Sequence, residues 1–365
     1  MGKRIAVIPG DGIGVEVIRE AVRVLEAVNE VYGLGLEMVS FDWGAEKYLR
    51  EGVTLPEGAV EMLEREYDAI LAGAFGDPRV PDNRHAREIL LGLRVQLDLY
   101  VNLRPVKLLD ERLTPLKGRT PEEINFVIVR ENTEGAYVDI GGVFKKGTPE
   151  EVALQHELTT RRGTERIIVA AFEYARTHGR RRVTLVDKSN VLRYGHGLWQ
   201  RVFWEVAERY PELDATHQYV DAMALLMVQD PASCDVIVTT NMFGDILSDL
   251  GAALIGGLGL APSGNIHPGR ISLFEPVHGT APALAGKNVA NPMGAILTAA
   301  MMVEYLGEAD AARAIEGAVV EAIRRGEVTR SDVPSRRMCA PAPGEREGRG
   351  TKLAESFAFG KERRR

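Results

Sequence analysis

The chain has 365 residues, 45% hydrophobic and 27% charged, and its 52 Asp and Glu outnumber its 45 Lys and Arg for a formal net charge of −7. That is the profile of a soluble globular protein, long enough for one large domain or two ordinary ones. The acidic excess argues against nucleic acid as a partner, since such binding rests on clustered Lys and Arg against phosphates. The two cysteines, Cys234 and Cys339, are too few for a disulfide framework and have no metal-type spacing with histidine, so a reducing cytoplasm is the expected location.

The apolar run Ile5-Ala-Val-Ile-Pro9 is too short for a signal peptide or a membrane anchor and reads as a first β-strand. Gly10-Asp11-Gly12-Ile13-Gly14 follows it and opens a helix whose apolar face is Ile18, Ala21, Leu25, Val28 and Tyr32, with Gly33 as its stop. A dinucleotide fingerprint needs two residues between its second and third glycines and an acidic partner about 20 residues on. Here the glycines alternate, so a tight turn competes with direct cofactor contact. Further strands are expected at 68–73, 125–130, 182–187 and 235–240, between amphipathic segments, which is the pattern of an α/β protein with crossover connections.

The stretch 141–163 is long and weakly periodic, an excursion of the kind that forms an interface or a functional loop. A helix at 164–178 ends at Gly179. Asn291 and Pro292 offer an N-cap and a first-turn proline to a helix over 293–306, before Gly307. No internal repeat or transmembrane run occurs. The last thirty or so residues, from Ser335, differ in composition from all that precedes them.

Chemistry concentrates in the middle of the chain. In Asn241-Met-Phe-Gly-Asp245-Ile-Leu-Ser-Asp249, a helix would stack Asp245 over Asp249, a pair suited to a hard divalent cation, with a third carboxylate in Asp221; a solvated helix face is the alternative. Arg94, Arg104 and Arg130 fall near strand ends. They are either separate salt-bridge residues or guanidinium forks for a substrate with two carboxylates. Lys188 and Tyr137, each just past a strand or motif, are candidate proton-transfer residues by type.

The motifs IAVIPGDGIGVEV, YVNLRPV, VRENTEGAY, VDKSNVL, QYVDAMA, NMFGDILSDL, GLGLAPSGNI and FEPVHGTAPALAGKNVANP occur in one order along residues 3 to 330. In that order and spacing the chain resembles the β-decarboxylating dehydrogenases, the family of isopropylmalate, isocitrate, homoisocitrate and tartrate dehydrogenases. The resemblance implies a two-domain α/β subunit that is not a Rossmann fold. Its discontinuous first domain, on the cofactor-binding side, would take residues 1–100 plus 252–335, and its second would take 101–251. It further implies a homodimer interlocked through an arm at about 138–162, with active sites shared between copies.

Carried over by position, Arg94, Arg104 and Arg130 match the arginines that hold the malate carboxylates. Asp221, Asp245 and Asp249 match ligands of Mg2+ or Mn2+, with Asp221 also facing the substrate. Lys188 matches the acceptor of the C2 hydroxyl proton and Tyr137 the acid that protonates the product enol; Lys188 and Asp221 match the positions borrowed from the neighbouring copy. His278 and the loop Gly279, Thr280, Ala281, Pro282, Ala283 through Asn291 match the adenosine-binding segment.

Leu90 and Leu91 imply an apolar wall for an isopropyl group, where isocitrate-type relatives carry polar residues. The implied reaction is oxidative decarboxylation of (2R,3S)-3-isopropylmalate to 4-methyl-2-oxopentanoate, a leucine-biosynthesis step. Tartrate- or malate-type and isocitrate- or homoisocitrate-type activities are the alternatives, and a non-catalytic ligand-binding regulatory subunit is a remote one. The implied cofactor is NAD. Ala283 stands where NAD-dependent relatives carry Asp, which weakens discrimination against NADP. From Pro334 the chain departs from the family pattern, so 336–365 reads as a disordered or divergent extension, or as the product of a shifted reading frame.

Overall fold

The computed structural model describes residues 2–328. The atypical tail and Cys339 lie outside the described residues. The strands are β1 (Lys3–Ile8), β2 (Leu36–Ser40), β3 (Ala69–Ala72), β4 (Val101–Lys107), β5 (Asn125–Glu131), β6 (Gly141–Phe144), β7 (Val152–Gln155), β8 (Arg182–Asp187), β9 (Asp214–Tyr219), β10 (Val236–Thr239), β11 (Gly264–Ile266) and β12 (Ser272–Phe274). Ten of them form one sheet in the order β2-β1-β3-β12-β11-β4-β5-β10-β8-β9. The β2-β1-β3-β12 neighbours are parallel, as are β5-β10-β8-β9. Across the middle, β12-β11, β11-β4 and β4-β5 are antiparallel, so the two parallel blocks run in opposite directions.

Helices cover both faces, which is why the strands are apolar on both sides. Along β1, Ile5 and Val7 enter one core while Ala6 and Ile8 enter another, the period-two alternation of a buried strand. The first core is filled by the helices Gly14–Tyr32, Met293–Tyr305 and Ala309–Arg324 and continues into the β5-β10-β8 half. The second takes Ala59 and Leu63 together with Ile89, Leu93 and Leu97. Ile89 and Leu93, with Leu97 just past its end, anchor the helical run 84–96, which also carries Leu90, Leu91 and Arg94.

Ile18, Ala21, Leu25 and Val28 are buried as expected, but Tyr32 is 42% exposed, because the helix ends there and the chain turns away at Gly33. The helix expected at 164–178 begins earlier, at Arg161, where Thr160 Oγ1 accepts the Gly163 N–H at 3.0 Å. The helix expected over 293–306 runs Met293–Tyr305 with Pro292, expected in its first turn, as its N-cap, and Asn291, one residue earlier, accepts the Met293 N–H on Oδ1 at 3.0 Å. The excursion is a hairpin of β6 and β7, every residue exposed, with Val143, Phe144, Val152 and Leu154 about half uncovered. Cys234 is buried, and burial pushes its thiol up to about 12. No helix among the described residues is long and apolar enough to cross a membrane.

Candidate active site

Arg104 and Arg130 are placed by strand register. In the antiparallel β4-β5 pair Asn102 lies opposite Arg130, and Arg104 is two residues on, so both guanidinium stems leave the same face. Arg94 joins them from the helix Gly92–Gln96. All three are buried, at 7%, 7% and 1% exposure for Arg94, Arg104 and Arg130. Burial, then the charges of Arg130 and Arg94, push the Arg104 guanidinium down to about 10. A cluster of buried cations is costly unless partnered, and each has a fixed acceptor. Arg94 donates to Glu275 at 2.9 Å, Arg104 to Asn102 at 2.7 Å and Ser248 at 3.2 Å, and Arg130 to Asn241 at 2.7 and 3.1 Å. Arg94 Nε is buried with no partner. That orphan donor is what a site built for an anionic ligand leaves behind.

The helix Asn241–Leu254 starts directly after β10 and lays Asp245 across the arginines. Its carboxylate accepts from Arg130 Nη1 and, at 2.7 Å, from the Tyr137 hydroxyl, while the Arg130 guanidinium lies 5.3 Å from the Tyr137 ring centre. Burial raises the Asp245 carboxyl, but Arg130, the Tyr137 hydroxyl and Arg104 outweigh it and hold it below the ordinary carboxylate range. Asp249, one turn later, is pushed up by burial and by the Asp245 charge. Gly244 makes this packing feasible: a Cβ there would lie 2.5 Å from Arg130 Cγ.

Lys188 and Asp221 follow β8 and β9, whose last register pair is Asp187 with Tyr219, so the two lie side by side at the edge of the sheet. They pair with each other, and the Lys188 ammonium lies 5.7 Å from the Tyr219 ring centre. The Asp221 carboxyl is lowered by Lys188 and by its own backbone N–H. Within one chain Asp221 does not join Asp245 and Asp249: no three metal-ligating side chains gather among the described residues.

Leu90, Leu91 and the loop that follows His278 lie with the other half of the sheet. Leu90 and Leu91 end a π-turn, Arg87–Leu91; Leu90 packs on the second core, and Leu91 lines an open groove with Tyr137, Tyr48 and Gln96. His278 is buried and its imidazole pKa is lowered by burial; Nδ1 contacts Gly279 O at 3.0 Å, and Nε2 is buried without a partner. The loop after it docks on the first β-turn, with Ile13 N–H donating to Thr280 O at 2.9 Å. A Cβ at Gly12, whose φ is +58°, would meet Thr280 O at 2.2 Å, so the alternating glycines serve a close backbone contact. Ala281 is left-handed at φ 38°, Pro282 and Ala283 are exposed, and Lys287 Nζ donates to Ala283 O at 2.6 Å.

The partners of the arginines were not legible as such. Asn241 sits inside a motif already singled out and Glu275 inside FEPVHGT, yet nothing local ties either to an arginine.

Residues 4–339 match the isocitrate/isopropylmalate dehydrogenase family. The 3-isopropylmalate dehydrogenase of Thermobifida fusca is 49% identical over 320 residues, covering 87% of this chain and 90% of that protein. That of Mycobacterium tuberculosis is 48% identical over 318 residues, covering 87% and 92%. Among solved structures, isocitrate dehydrogenase from Methylococcus capsulatus aligns with a TM-score of 0.83 at 38% identity, over 97% of this chain and 99% of that one. With sequence match, fold and chain coverage in agreement, the chain belongs to the isocitrate/isopropylmalate dehydrogenase family.

Proposed function

We propose that the chain oxidatively decarboxylates (2R,3S)-3-isopropylmalate to 4-methyl-2-oxopentanoate with reduction of NAD, the leucine-biosynthesis reaction for which its relatives are named. The observation that carries this is the set of three buried arginines, of which Arg94, with a free N–H, stands on the helical run that also carries Leu90 and Leu91. Paired guanidinium donors fix a dicarboxylate, and the leucines supply about 1–3 kcal/mol of preference for an isopropyl group over a polar one.

In this reading Arg94, Arg104 and Arg130 orient the malate carboxylates. Lys188 takes the C2 hydroxyl proton as hydride leaves C2, and after the C3 carboxylate departs as CO2, Tyr137 returns a proton to C3. When bound, the nicotinamide accepts the hydride and a divalent cation offsets the charge that develops on the C2 oxygen. Asp245 and Asp249 fit Mg2+ or Mn2+: they are hard oxygen donors one helical turn apart, and their mutual repulsion is relieved by a cation between them.

Their third partner, Asp221, is supplied with Lys188 by a second copy. The uncovered apolar β6-β7 hairpin supports such a copy, because an isolated two-stranded ribbon is marginal in water. The β11-β4 pairing is then the junction between a first domain of residues 1–100 plus 252–335 and a second of 101–251.

The buried, unpartnered His278 Nε2 fits an acceptor awaiting a donor such as an adenine amino group, so residues 278 to 291 are assigned to the cofactor. Ala283 lacks the carboxylate that would accept from a ribose hydroxyl. Ala283→Asp should raise the NAD over NADP ratio of kcat/KM about tenfold, the scale of one hydrogen bond to a charged group. The substrate assignment is tested by NADH absorbance with Mn2+ and NAD+ across 3-isopropylmalate, isocitrate, homoisocitrate, tartrate and malate. The isopropyl compound should lead by at least about tenfold in kcat/KM; a lead by any other acid overturns the assignment.

A further inference from the structure

Lys188 is held from behind by a group with no role so far. Its backbone N–H, just past the last ladder residue of β8, donates to His196 Nδ1 at 2.8 Å, while its carbonyl accepts the N–H groups of Val191 and Leu192 at 2.9 and 2.8 Å. His196 is fully buried and packs edge-on against Phe243, two residues before Asp245, at 5.4 Å between ring centres. Since Nδ1 accepts, the ring hydrogen sits on Nε2, which faces Glu157 Oε1 at 3.2 Å. Glu157 lies two residues beyond the end of β7, at the root of the exposed hairpin.

We infer that His196 is a positioning residue for Lys188 and that Glu157 ties its orientation to the hairpin, so that docking of the hairpin on a second copy fixes the direction in which Lys188 leaves the sheet. This rests on the assignment of Lys188 as proton acceptor. A buried imidazole with both nitrogens committed has one orientation, and the peptide it holds has its N–H and C=O pinned. A misplaced Lys188 slows proton removal from the C2 hydroxyl and leaves carboxylate binding to the arginines intact.

The test compares His196→Leu, His196→Asn and Glu157→Ala with wild type, using 3-isopropylmalate carrying hydrogen or deuterium at C2. Leu removes both contacts; Asn keeps an acceptor near the Nδ1 position; Ala frees the imidazole on the hairpin side. His196→Leu should lose roughly 10- to 100-fold in kcat, the scale of misplacing a reacting group by an ångström, with KM within about twofold. Its deuterium isotope effect on kcat should rise, and hydrogen exchange at the Lys188 amide should quicken. His196→Asn should recover most of kcat, and Glu157→Ala should lose about threefold with a raised isotope effect.

A mere loss of folded enzyme lowers kcat without moving the isotope effect. If His196→Leu does not fold, Glu157→Ala carries the test, and an unchanged isotope effect there overturns the inference. Lys188→Met separates the two claims. Full activity in Lys188→Met would remove the assignment of Lys188, whereas an inactive Lys188→Met beside a wild-type isotope effect in the His196 and Glu157 variants would remove the positioning role alone.

Discussion

The arginine pocket and the Lys188-Asp221 pair are built on opposite terms. In the pocket every guanidinium is buried and tied to a partner from a distant part of the chain, and Asp245 and Tyr137 complete it without help. The pair sits at the sheet edge beside the Tyr219 ring, with the Asp221 side chain 69% exposed, and the two groups pair with each other. Preorganised buried dipoles bind and orient at little further cost, whereas an exposed ion pair contributes little to stability and is easily exchanged for a new partner. In the proposed reading, the arginine half of the site, Tyr137 included, is finished within one chain, and Lys188 and Asp221 come to it from another.

The strongest way to break that contrast is to remove a guanidinium. Arg130→Met leaves Asn241 Oδ1 without its donor and Asp245 without its buried cation, and kcat/KM for 3-isopropylmalate should fall about 1,000-fold, roughly 4 kcal/mol, in the range of losing a buried charged pair. Steady-state kinetics checks this, and a KM unchanged from wild type would show that the pocket does not bind substrate. Tyr137→Phe removes one hydroxyl from the pocket and the proposed acid with it. A loss of about 10- to 100-fold in kcat with little change in KM is expected from general-acid catalysis; equal loss in every parameter would mark the hydroxyl as a structural prop.

Smaller still is the effect of Gly244→Ala. The added Cβ must displace the Arg130 stem, costing about 1–3 kcal/mol in stability by overpacking and raising KM. Thermal melting with kinetics reads both, and a neutral variant would mean that the Arg130 geometry is looser than described.

Much of this was legible in the sequence because it is local. Asp245 and Asp249 share a helix face, Arg130 falls near the end of its strand, and the first helix follows its three-and-four pattern to Val28, whereas Arg104, expected near a strand end, sits at the centre of β4 and Arg94 sits on a helix. What escaped is what depends on long-range pairing. Arg94 meets Glu275 across 181 residues, and the antiparallel seam runs through β11 and β12, strands of three residues that are too short to show a period. Tyr32 failed for the opposite reason: the periodic rule knows nothing of where the helix leaves the sheet. His196 was invisible because its value lies in two hydrogen bonds, one of them to the backbone, and no motif encodes a backbone partner.

The sharing of sites between copies is tested most directly by mixing two defective chains. Lys188→Met and Arg130→Met are each near-inactive alone in this account. Unfolded and refolded together, half of the randomly assorted dimers are mixed, and each mixed dimer has one intact site, so about a quarter of wild-type activity should return. Mixed dimers that form, as seen by mass, yet recover no activity would contradict the account and place Lys188 and the arginines in the same chain's site.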